Sequence, residues 1–195
     1  MDIFLDIQDK ERFLKLLYVC NTKKPLIFKD IQGESLDEIE RDGDLLVSIG
    51  AYCLMPNHFH ILLREDNETG VTEFLKKVAT AYSMYFNKKY ERSGSLFQGA
   101  FKSRHVDNEP YLNWLFAYIH LNPVKIIEPM WRESGISNVK NAREFMEKYR
   151  YSSYHDYFVG ERPETAILSK DSFPEHFATI NEFDVLCDEL KSDAY

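Results

Sequence analysis

Residues Leu45–Arg64 read LLVSIGAYCLMPNHFHILLR. The run from Leu45 to Leu54 is apolar and rich in β-forming residues, and predicts a buried strand. Met55-Pro56-Asn57 is turn chemistry. From His58 to Arg64 apolar and polar residues alternate, which predicts a second strand paired with the first. Side chains two apart on a strand share a face, so His58 and His60 point the same way while Phe59 packs into the core on the other side. Two imidazoles on one face can share a divalent metal. A bare His-x-His is a weak motif, however, and reads more readily as two ordinary histidines at a strand end.

Around this pair the pattern turns helical. Phe13, Leu16, Leu17 and Cys20 recur at helical spacing, predicting an amphipathic helix over 9–21 capped by Asp6 or Asp9. Ser35 and Glu38 have capping-box spacing, which predicts a short acidic helix over 36–41. Val71, Phe74, Leu75, Val78, Tyr82 and Tyr85 mark a long helix, broken by Arg92-Ser-Gly-Ser95. Leu96 to Val106 reads as one strand or a pair of short strands. Pro110 suits the first turn of a further helix that Pro123 stops near Asn122. Another helix is expected over 141–149. The mixture predicts an α+β fold, an antiparallel sheet with packed helices. Residues 1–160 are expected to form one domain, and 161–195 an acidic, solvated extension, helical over 181–190.

The chain has 195 residues, enough for one domain with a substantial core, and no apolar run long enough to span a bilayer. No secretory signal is evident at the start, and the three cysteines, Cys20, Cys53 and Cys187, form no paired motif. They read as buried thiols of a cytoplasmic protein. A net charge of -8 argues by itself against nucleic acid. The charge is uneven, though. Between residues 76 and 104 seven bases, Lys76, Lys77, Lys88, Lys89, Arg92, Lys102 and Arg104, face one acid, Glu91, giving +6 there and -14 elsewhere. An acidic protein can still present a basic binding face, although a run of charge also suits a solvated helix surface.

Tyr118-Ile-His-Leu-Asn-Pro123 ends the helix that begins near Pro110. Tyr118 and Asn122 are one turn apart and share a face. A phenol beside a metal can serve as a nucleophile. With twelve tyrosines in the chain, spacing alone does not separate Tyr118 from Tyr82, Tyr85 or Tyr111.

AYCLMPNHFHILLR, from Ala51 to Arg64, resembles the signature of the single-tyrosine HUH transposases, the insertion-sequence-200-like and REP-associated enzymes. RSGSLFQGAFKS (92–103) resembles the segment before that family's catalytic helix. AYIHLNPVK (117–125) resembles the helix carrying the tyrosine, and YSSYHDYF (151–158) its closing segment. The resemblance implies a ferredoxin-like sandwich, with His58 and His60 as metal ligands and Tyr118 as nucleophile. It also implies Asn122 as a third, polar ligand, with His120 as a substitute that its spacing turns away from Tyr118. Mg²⁺ or Mn²⁺ is the implied cofactor, and single-stranded or hairpin DNA the implied partner. The basic residues from Lys76 to Arg104 could then track its backbone. Tyr82, Tyr85 and Phe86 continue an apolar stripe and read as core, not as stacking platforms.

The family's usual opening strand, of the type YHVxxRG, has no counterpart ahead of Met1-Asp-Ile-Phe-Leu5. Its loss would open a sheet edge, which a second subunit of a homodimer could cover. A binding-only relative that holds hairpin DNA is therefore an alternative. So is a metal-dependent hydrolase, for which the nearest acids, Glu65 and Asp66, stand at the far end of the strand.

Overall fold

The computed structural model describes residues 1–24, 33–36, 38–41, 43–175, 187 and 190. Helix α1 spans Ile7–Val19. The Asp6 carboxylate accepts from the Asp9 N–H, and the Asp9 carboxylate accepts from the Asp6 N–H, a reciprocal cap that starts the helix where two acids stand three apart. Strands β1 (Val47–Met55) and β2 (His58–Glu65) form an antiparallel hairpin around Pro56-Asn57. Helix α2 runs over Gly70–Lys89 and α3 over Glu109–Leu121. In α3, Asn108 accepts from the Tyr111 N–H and proline stands in the first turn. The chain continues past α3 as a 3-10 turn over Asn122–Ile126, then α4 (Trp131–Ser134), α5 (Val139–Lys148) and α6 (Tyr154–Phe158). The fold is α+β, as expected.

The hairpin lies between two apolar layers, and one irregularity arranges this. The β1–β2 register shifts between Ile49 and Ala51, leaving Gly50 as a bulge. Before the bulge, Val47 and Ile49 face α1 and α2. After it the parity flips: Tyr52 and Leu54 join that layer, with Phe13, Leu17, Phe74, Val78 and Tyr82. Ala51, Cys53 and Met55 turn to the other layer, with Phe116, Ile119, Trp131 and Met146. The opposite strand keeps strict alternation. Phe59, Ile61 and Leu63 pack toward α1 and α2, whereas Leu62 joins the α3 layer. His58 and His60 share that second face. Tyr82 and Phe86 are core, and Tyr85 packs beside them, as their spacing predicted.

Three expectations are corrected. Residues 96–106 form no strand among the described residues; Gly99 takes a left-handed φ of 79°, and the sheet's described strands are β1 and β2 alone. A strand without a neighbour has no ladder to stabilise it. The acidic helix is not seen over the described residues of 36–41, which form turn and bend; the Ser35 N–H still donates to the Glu38 carboxylate, one arm of the expected box. Part of the C-terminal extension is packed, not solvated. Ile167 is 1% exposed in the α1–α2 layer, and the Ser169 N–H donates to the Ile49 carbonyl. The helix expected over 181–190 lies outside the described residues, apart from Cys187 and Leu190, which pack against the α3 layer. Cys20 and Cys53 are buried as expected, while Cys187 is half-buried.

Candidate active site

The hairpin turn delivers His58 and His60 to the face of the sheet that α3 crosses. Their ring centroids are 4.9 Å apart and nearly perpendicular, at 87°. Asn57 Oδ1 accepts from His58 Nδ1 at 2.6 Å, which leaves Nε2 of that ring as the free lone pair. His60 Nε2 is buried and has no hydrogen-bond partner among the described residues. An orphaned buried imidazole nitrogen is costly unless something polar reaches it.

The same cost recurs one element away. Asn122, 3% exposed where α3 ends, has a buried Oδ1 with no partner among the described residues. Tyr118 lies one turn before it, its ring centroid 5.3 Å from that of His60. The structure thus brings His58, His60 and Tyr118 together, with Asn122 on the same helix face as the phenol. Two imidazoles and an amide oxygen are a donor set that fits a borderline or hard divalent cation with water and phosphate completing the shell. Among the described residues no third His, Cys, Asp or Glu joins them.

The electrostatics suit ligation. Burial, then the charges of His58, Arg132 and Lys125, lowers the His60 pKa to about 4. Burial and Lys125 lower that of His58. Both rings are held neutral near pH 7, the form that binds metal. Lys125 and Arg132 are the cations at this site, and sequence reading did not find them. Lys125 had a signal, seven residues past Tyr118; Arg132, fourteen past it, had none. Trp114 was also missed, although it stands four residues before Tyr118. Its ring stacks on the phenol at 5.2 Å, the planes 6° apart, and Tyr111 continues the stack at 6.0 Å and 16°.

His120 does not substitute as a ligand. It is fully buried on the opposite side of α3, against Phe116, Tyr157 and Phe158, with Nε2 2.8 Å from Ser153 Oγ. Glu65 and Asp66 are engaged elsewhere. Glu65 accepts from the Val71 N–H, and Asp66 pairs with Arg64 and accepts from Ser48.

The basic segment divides. Lys77 donates to the carbonyls of Thr22 and Lys24, and Lys89 pairs with Asp6 at 2.7 Å and Asp9 at 2.8 Å, so both hold the fold. Arg92 lies over Phe86 with one guanidinium nitrogen buried. Lys76, Lys88, Lys102 and Arg104 are exposed, Arg104 over the Tyr111 ring at 4.6 Å.

A family model described as "Transposase IS200 like" matches residues 13–122, from α1 through the tyrosine helix to Asn122. No curated protein and no solved structure matches the chain. The match covers more than half of the chain, and the chain belongs to the IS200-like transposase family. Among the described residues no helix is long and apolar enough to cross a membrane.

Proposed function

We propose that this transposase-family chain nicks and rejoins single-stranded DNA through Tyr118. The observation that carries the reading is the convergence, from separate elements, of a histidine pair and a tyrosine, with an orphaned amide oxygen, that of Asn122, one helical turn past the tyrosine. His58, His60 and Asn122 would hold Mg²⁺ or Mn²⁺, which supplies charge withdrawal from the scissile phosphate. The Asn57 side chain fixes the His58 ring so that Nε2 faces the site. Trp114 stacks on Tyr118 and restricts its ring. The Tyr118 oxygen forms a bond to phosphorus, and the phenolic proton is lost. The bond from phosphorus to the 3′ oxygen breaks, and that oxygen leaves with a proton as a free 3′-OH. The 5′ end stays on the tyrosine, and a second 3′-OH reverses the step to seal a new junction. The exposed bases Lys76, Lys88, Lys102 and Arg104 are candidates for backbone contacts, with Lys77, Lys89 and Arg92 serving the fold first.

The test uses hairpin-bearing oligonucleotides labelled at the 5′ or the 3′ end, incubated with protein and Mn²⁺ and resolved on denaturing gels. A species heavier by one protein, seen with the 3′ label alone and absent in Tyr118→Phe, is the expected result. Cutting without attachment would favour hydrolysis by water instead. Binding without cutting would mark a binding-only relative.

A further inference from the structure

Beyond the ligands and the nucleophile, one cation stands over the reacting group. The Arg132 guanidinium carbon is 5.0 Å from the centroid of the Tyr118 ring. Trp114 covers the phenol in a parallel stack and the His60 ring meets it at 74°. Arg132 is exposed and makes no ion pair among the described residues. A cation–π contact at an exposed position is weak, so a phosphate can compete for this side chain.

The position is not accidental to a loose loop. Trp131, the neighbour of Arg132, is 5% exposed and anchors α4 in the α3 layer. The Glu128 carboxylate accepts from the Ser137 N–H and hydroxyl at 2.8 Å each and from the Asn138 N–H at 3.2 Å, which closes the loop that carries α4. A buried indole at the base and a carboxylate clasp at the neck hold the guanidinium beside the phenol. Arginine is the residue suited to this task, since its planar fork matches two phosphate oxygens and its charge persists at any working pH.

We infer that Arg132 is a substrate-contacting residue: it leaves the Tyr118 ring to grip the phosphate that Tyr118 attacks, in a single strand of DNA. The inference rests on the single-strand nicking reading. Arg132 supplies a permanent positive charge beside the phosphate that Tyr118 attacks.

The test measures binding of a hairpin-bearing oligonucleotide by fluorescence anisotropy across a salt series, in a Tyr118→Phe background that keeps the ring and removes the nucleophile. Each phosphate neutralised on a single strand contributes about 0.7 to the slope of log affinity against log salt. Adding Arg132→Ala is expected to lower that slope by about this amount, and Arg132→Lys to restore it. In the Tyr118-containing protein with Mn²⁺, Arg132→Ala is expected to slow formation of the DNA adduct at least tenfold, with the melting temperature unchanged. A slope and adduct rate within error of the parent would overturn the role of Arg132 and leave the nicking reading standing. No binding of single strands by the parent would overturn that reading, and this inference with it.

Discussion

Single side chains divide sharply between those that a linear reading can find and those it cannot. His58, His60, Tyr118 and Asn122 are legible because each pair lies within one short string whose family resemblance picks it out, where spacing alone does not separate Tyr118 from Tyr82, Tyr85 or Tyr111. Lys125 and Arg132 reach the site through the turn after α3 and the loop to α4, and for Arg132 nothing in the spacing announces that. Asn57 orients His58, so Asn57→Ala is expected to weaken Mn²⁺ binding about 10- to 100-fold by calorimetry without unfolding the chain. An unchanged affinity would remove Asn57 from the site. His120 provides a contrast at the same scale. It is fully buried, and burial lowers its pKa to about 3. The unfolded chain protonates this ring below about pH 6.5, whereas the folded state keeps it neutral. The stability it contributes is therefore whole above about pH 6.5 and is lost as pH falls toward 3. The slope approaches about 1.4 kcal/mol per pH unit for that one proton. Denaturant melts between pH 7 and 4 should show this slope in the parent and a flatter one in His120→Gln.

At the scale of elements, the helices and the hairpin follow from periodicity, caps and turn residues, because each is specified within its own sequence. Residues 96–106 fail for the opposite reason. Their apolar residues suit a strand, but a strand is completed by a neighbour, and the described sheet offers them none. What locks the elements together is also nonlocal. Asp9 is fully buried and accepts from Lys89, Tyr85, Tyr90 and the Leu5 N–H, which ties the start of α1 to the end of α2. Lys89, read from sequence as a candidate DNA contact, is spent there. Asp9→Ala should lower stability by roughly 2–4 kcal/mol, since it strands three side-chain donors at a part-buried junction. A loss below about 0.5 kcal/mol in urea melts would show that Asp6 alone suffices for Lys89.

For the molecule as a whole, the instructive feature is how the outer edge of β1 is closed with no third strand among the described residues. Asn21 bonds both backbone groups of Val47. Ser169 donates to the Ile49 carbonyl and Tyr157 to that of Gly50. Ser153 serves both groups of Tyr52. Tyr151 accepts from the Leu54 N–H and Tyr149 donates to its carbonyl. These partners come from three separate stretches, at Asn21, over 149–157 and at Ser169, so no pattern along the chain foretells them. Arg162 pins the middle one. It pairs through two nitrogens with the fully buried side chain of Asp156, and reaches the Ser152 carbonyl and the Tyr52 hydroxyl. The packing beyond it converges on the bulge: a methyl group on Gly50 would stand 2.7 Å from the Phe173 ring. Gly50→Ala must therefore push that ring aside, because β1 is held on both edges and the ring is the mobile partner. The expected cost is about 1–3 kcal/mol, the range for overpacking. In Phe173→Ala the same glycine substitution should cost less, since the obstructing ring is gone. A double-mutant cycle in denaturant reads this directly. A coupling of at least about 1 kcal/mol would place the segment after Arg162 against the sheet in solution. A coupling near zero would show that β1 holds its outer edge without it.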